Sequence, residues 1–429
     1  MVGRGKYGII SLCRRVVLAG GIISFLPLPV FGEMDTATGI FERDVKTLSV
    51  VNPDHFMSPP VLRLGTDDRL KINFDIIGDS HEYLRFRLVH CNADWQPSRL
   101  LEPEYLDGFN EMEITDYAYS SNTFVHYVNY NIEIPGDGMR IISGGNYLLQ
   151  VYPEGEPDHV MLQVRFYVTE NSLMVGGGIS GRTDKGFNTE FQQLEIAVEA
   201  GGGMIKNPYQ DLIVTVMQNN RPETLREITH PMRVEGDRIL YAHDPALIFN
   251  GGNEYRRFET VRADYAGMGV DSVVYGGSNW HAYLMPDESR VEKDYIYDST
   301  QHGRFKIDEY NASDPDLGAD YITVHFTLDS PEFIGADVYV DGDFAYHRFD
   351  GFNRMHYDYD RRFYTAEIPL KQGSYNYQYV VKPVGEGYAD PSPVEGNKYE
   401  TRNEYLVNVY YRAPGSRADR LVGSAVLGL

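Results

Sequence analysis

Cysteine is nearly absent. Two in 429 residues cannot cross-link a chain of this length, which excludes a disulfide-stapled scaffold. Tryptophan is as scarce, also at two. Positive charge falls short: 39 Lys and Arg stand against 62 Asp and Glu, a formal charge of −23. That balance argues against nucleic acid or an anionic lipid surface as the main partner. No apolar run reaches the roughly 20 residues of a membrane-spanning helix. Helical periodicity is rare, with room for short helices only at 286–295 and 223–228. No internal repeat is visible.

Catalytic signatures are missing as well. The chain has no G-x-S-x-G, H-E-x-x-H or C-x-x-C. Gly176-Gly177-Gly178-Ile179-Ser180-Gly181 spells G-x-G-x-x-G. An alternating strand follows it instead of a helix, so it reads as a glycine-rich linker. His90 and Cys91 are neighbours, but adjacent strand residues point to opposite faces, and Cys91 reads as a buried structural cysteine. Asp314, Asp316 and Asp320 are oxygen donors of the kind Ca²⁺ uses, yet their spacing departs from the D-x-D-x-D-G pattern; they read as a solvated linker. Asp341, Asp343 and Asp350 flank a hairpin and read as turn residues. Nothing singles out a carboxylate pair for glycoside hydrolysis. No catalytic, cofactor-binding or metal-binding residue is expected.

The first 32 residues form a distinct segment. Arg4, Lys6, Arg14 and Arg15 precede an apolar stretch from Val16 to Val30, and no acidic residue interrupts. Val30-Phe31-Gly32 then offers a cleavage site. This is the layout of a secretory signal peptide. Without it the chain holds 35 basic and 62 acidic residues, a charge of −27.

What remains is β-structure. Leu70, Ile72, Phe74 and Ile76 alternate with Lys71, Asn73 and Asp75. Leu84, Phe86 and Leu88 alternate with Arg85 and Arg87, and YITVHFTL and SYNYQYVV repeat the pattern near the C-terminal end. Each reads as a strand with one dry and one wet face. Mid-strand charge on the wet faces argues against a membrane barrel. Linker-like stretches at 169–178 and 309–316 suggest three units of ordinary domain size. The expectation is an all-β chain: a cleaved signal peptide (1–32) and three tandem immunoglobulin-like or early-set β-sandwich domains over 33–170, 171–312 and 313–429. A loosely held tail is expected at 413–429.

Aromatics are the informative excess, with 33 Tyr and 20 Phe. Trp95, Tyr105, Phe109, Tyr117 and Tyr119 crowd one irregular stretch. Two readings stay open: sandwich core with aromatic loop packing, or a partner surface.

Several long segments carry a family resemblance. They are 59–77 (PPVLRLGTDDRLKINFDII), 91–135 (CNADWQPSRLLEPEYLDGFNEMEITDYAYSSNTFVHYVNYNIEIP) and 145–152 (GNYLLQVY), then NPYQDLIVTVMQNNR, GNEYRRFE and LKQGSYNYQYVV further on. In this order they resemble the Plug proteins of the type IX secretion system, from about residue 41 to 411. The resemblance implies a soluble periplasmic protein without enzymatic activity. Its partner would be the outer-membrane translocon barrel, whose periplasmic end it would close when cargo is absent. It implies no direct membrane span, no nucleic acid and no small-molecule substrate. The last unit also resembles the early-set modules of glycogen-branching enzymes, but Ala345-Tyr346-His347-Arg348 follows the G-D-F turn without the tryptophan such modules use for sugar. A periplasmic or surface carbohydrate-binding protein is the alternative reading.

Overall fold

Period-two alternation dictates the elements. Leu70, Ile72, Phe74 and Ile76 are at most 4% exposed, within the strand Leu70–Ile77. A computed structural model describes residues 35–201 and 205–428; the expected signal peptide lies outside them. Thr36–Leu429 form one compact unit, and it is nearly all β.

Three sandwiches make up this unit. In the first, one sheet runs Gly39–Ile40, Leu162–Thr169, Gly145–Pro153, Leu84–Cys91, Met112–Glu113, with Val61–Arg63 parallel to Leu162–Thr169. It faces a sheet of Val45–Val51, Leu70–Ile77, Tyr127–Ile134 and Tyr117–Tyr119 across one core. In the second, Met174–Ser180, Phe191–Glu199, Arg238–Tyr241 and Arg233–Glu235 face Arg226–Ile228, Leu212–Gln218, Glu404–Tyr411 and Arg420–Gly428. The third pairs a sheet centred on Tyr321–Asp329 and Phe363–Lys371 with one centred on Gly373–Pro383.

The third sandwich is nested inside the second. Its strands run from Arg256–Glu259 to Gly373–Pro383, and the chain then returns to pair Glu404–Tyr411 against Leu212–Gln218, Leu212 opposite Tyr411. The boundary expected at 312/313 therefore cuts the third sandwich, and residues 404–428 belong to the second. Linker composition carries no information about strand pairing between distant segments. The stretch 413–429 is not a loose tail either: Arg420–Gly428 pairs along Glu404–Tyr411. Gly176–Gly178 lie within the strand Met174–Ser180, where a Cβ on Gly177 would meet the Glu195 carbonyl at 2.2 Å. That close approach, rather than linker flexibility, accounts for the glycine. No helix spans 286–295 or 223–228; the second is a 3₁₀ turn, Pro222–Thr224, followed by the strand Arg226–Ile228.

Both outer faces of the first sandwich are covered. The third sandwich covers one with polar groups. Asp75 and Lys371 are buried and pair at 2.7 Å. Tyr321 Oη donates to one Asp75 carboxylate oxygen at 2.6 Å, and Asn129 Nδ2 donates to the other at 2.8 Å. The Lys371 ammonium lies 4.0 Å from the Tyr127 ring centre and donates to the Asp316 carbonyl at 2.7 Å. Asp320, expected in a solvated linker, is buried; it accepts the Phe124 and Val125 amides at 2.6 and 3.0 Å. The second sandwich covers the other face with apolar groups. Cys91, Trp95, Leu148 and Tyr167 meet Met217, Leu406, Tyr410 and Leu421. The Arg165 guanidinium caps the Trp95 ring at 4.3 Å. Asp341, expected in a turn, is fully buried at the junction of the second and third sandwiches. His347 bridges it to Asp343, each contact at 3.0 Å, and Arg221 lies 4.0 Å away.

Candidate partner surface

The five aromatics singled out by the sequence do not form one patch. Trp95 is 3% exposed in the apolar seam, its backbone at φ 64° and its ring edge-on to Tyr167. Tyr105 lies in the first core beside His90 and Tyr147, where burial pushes its hydroxyl up to about 12. Neither can reach a partner. Phe109 is 74% exposed beyond the strand Leu106–Gly108, which among the described residues pairs only with Met139–Ile141. A Cβ on Gly108 (φ +113°) would lie 2.0 Å from the Gly138 carbonyl, so glycine is needed to bring that hairpin together.

Tyr117 and Tyr119 do come together. They sit two apart on the edge strand Tyr117–Tyr119, so they share a face. Tyr117 packs over Tyr130, which stacks on Phe74 at 5.2 Å. On its outer side Tyr117 stacks with His81 at 4.6 Å and 13°. His81 meets Tyr83 edge-on at 5.0 Å and hydrogen-bonds the Tyr119 hydroxyl at 3.1 Å. Rings thus run without a break from the core to the open edge of the sandwich. Tyr83 and Tyr119 are 63% and 49% exposed. The turn after this strand carries exposed Phe124, which meets Tyr275 of the third sandwich at 5.4 Å. Amphipathic rings held by buried rings suit a half-wet protein contact at little ordering cost.

His81 and Tyr83 escaped the sequence reading. Their signal was the i, i+2 spacing just before an alternating strand, the spacing also seen in Tyr117 and Tyr119. His90 and Cys91 do point apart: His90 packs among Tyr105 and Tyr147, and Cys91 lies in the apolar seam. Burial pushes the Cys91 thiol up to about 12, which removes its nucleophilic form near neutrality. Among the described residues, no group of three or more His, Cys, Asp or Glu is placed to hold a metal ion, and no helix is long and apolar enough to cross a membrane.

Residues 45–170, the first sandwich, match the family described as type 9 secretion system plug protein, first domain. The chain is 36% identical to a crystallised hypothetical protein from Parabacteroides merdae, covering 92% of this chain and all of that one, with a TM-score of 0.90. Collagen adhesin from S. aureus is 8% identical, over 90% and 91% of the two chains, with a TM-score of 0.12; that likeness carries no argument. No curated protein matches the chain.

Proposed function

The chain belongs to the type 9 secretion system plug family, and from that premise we propose that it is a non-enzymatic periplasmic stopper. It binds the periplasmic end of the outer-membrane translocon barrel and seals that channel when cargo is absent. The observation that carries this reading is the family match over the first sandwich. Two features support it. The sandwiches are joined over both outer faces of the first, which suits a broad preformed surface. The aromatic edge of His81, Tyr83, Tyr117 and Tyr119 offers large, ordered contact area of the kind that anchors interfaces, and we assign it to the barrel.

The test is isolation of the tagged chain from envelopes in mild detergent, with bound proteins identified by mass spectrometry. A very large outer-membrane barrel at near one-to-one stoichiometry is the expected result. Recovery of the chain alone, together with saturable binding on a glycan array, would replace this reading with the carbohydrate-binding one.

A further inference from the structure

A cavity of about 300 Å³ opens between the N-terminal strands of the first sandwich and the G-D-F turn of the third. Its inner wall is made of rings: Phe305, Phe344, Tyr346 and Tyr375. Phe305 stacks on Tyr375 at 5.5 Å and 5°, and Phe344 meets Tyr375 edge-on at 5.7 Å. Both tyrosine hydroxyls have partners in the protein. Tyr375 Oη donates to the Lys371 carbonyl, and Tyr346 Oη accepts the Leu48 amide at 2.9 Å. What these side chains chiefly offer the cavity is their ring surface.

The mouth has the opposite character. Arg43 and Lys46 line it, and among the described residues neither is ion-paired to a carboxylate. The acids beside them are engaged: Glu42 with His159 at 2.6 Å, Asp350 with the Phe352 amide at 2.8 Å. Lys46 is half-buried, and among the described residues its ammonium donates only to the Arg43 carbonyl. Burial pulls its pKa down, more strongly than nearby Asp44 holds it up. Arg43 and Lys46 thus stand at an aromatic cavity without a direct ion pair, with Arg348 as a third cation in its lining, in a chain of charge −23. Apolar pockets with a few convergent polar groups are the usual form of small-ligand sites, and about 300 Å³ is the small end of their range.

We propose that this cavity binds a short-chain amphipathic carboxylate, its tail among the four rings and its head on Lys46 and Arg43. The volume suits one short acyl chain and not a diacyl lipid. A carboxylate there would form charge-assisted hydrogen bonds and supply the ion-pair partner that Lys46 lacks. The site rests on the seam geometry alone and does not depend on the stopper reading.

The experiment is calorimetric titration of the purified chain with decanoate, decanol, decyl phosphate and a malto-oligosaccharide. Saturable one-to-one binding of decanoate is expected. Decanol, and decanoate on Arg43→Gln/Lys46→Gln, should each bind about tenfold more weakly or worse, the range for loss of a charged hydrogen bond. Both substitutions lie at the mouth, so the thermal midpoint should hold. A crystal soaked with a brominated decanoate should show the halogen among the rings. Absence of saturable decanoate binding overturns the proposal. So does affinity unchanged in the double variant, decyl phosphate binding tenfold more tightly than decanoate, or the sugar binding in its place.

Discussion

The two outer faces of the first sandwich are covered in opposite ways. Against the second sandwich it buries Cys91, Trp95, Leu148 and Tyr167 on Met217, Leu406, Tyr410 and Leu421. Against the third it buries an ion pair, Asp75 and Lys371, with Tyr321 and Asn129 completing the carboxylate. The apolar seam gains free energy from area removed from water. The polar seam gains little by the same measure. Burial, the largest influence, pushes the Asp75 carboxyl above its ordinary range despite Lys371, so desolvation outweighs the attraction. A buried pair of this kind is weak as a source of stability and costly to break. One face holds by area, the other by a requirement for exact partners.

Breaking the polar seam on one side should have the largest effect. Lys371→Met strands the Asp75 carboxylate and is expected to cost about 3–5 kcal/mol in urea unfolding. Asp75→Leu/Lys371→Met should recover part of that loss, because the stranded charge is gone, while the Tyr321 hydroxyl and the Asn129 amide lose the acceptor they share. The apolar seam should behave differently: Leu406→Ala is expected to cost about 2–5 kcal/mol, with no second substitution across the seam that restores it. Tyr321→Phe removes one hydrogen bond to the buried carboxylate and should cost about 1.5–3 kcal/mol.

The junction of the second and third sandwiches holds a buried ionic cluster whose contribution depends on pH. Asp341 and Asp343 hold His347 well above its ordinary value against burial. A raised histidine contributes stability that is complete below its unfolded pKa of about 6.5 and lost as pH rises through the folded value. The stability difference between wild type and His347→Gln should therefore be largest below pH 6.5 and shrink on the alkaline side. Asp341 is held low, by His347 ahead of Arg221, although burial acts against them. Its contribution is present above its ordinary range and disappears as pH falls. A flat difference across both limbs would remove this ionic account. The smallest effect on stability belongs to the exposed edge. Tyr83→Ser/Tyr119→Ser should stay within about 0.5 kcal/mol of wild type and lose capture of the envelope barrel.

The strand content was legible because alternation is a property of each segment alone. The inner faces of Leu70–Ile77 and Tyr321–Asp329 are buried as their patterns required. The outer faces misled. Asn73 and Asp75, and likewise Asn376 and Gln378, looked wet and are buried, because a satisfied polar seam and a solvated face carry the same residue types. The nested order of the sandwiches was illegible for a related reason: pairing of Leu212–Gln218 with Glu404–Tyr411 leaves no mark in the composition between them. Of the five aromatics, sequence could not separate Trp95 and Tyr105, which close a seam and a core, from Tyr117 and Tyr119, which reach the surface. The ring column through His81 that distinguishes them joins segments far apart in the chain.

Sealing of a channel by the assembled body is read out in the permeability of the outer membrane. The most direct measurement is entry of a large hydrophilic antibiotic into cells lacking the chain, with the wild-type chain supplied back as control. A leaky outer membrane is expected on deletion, repaired by the wild type and not by Tyr83→Ser/Tyr119→Ser. An intact permeability barrier after deletion would contradict it.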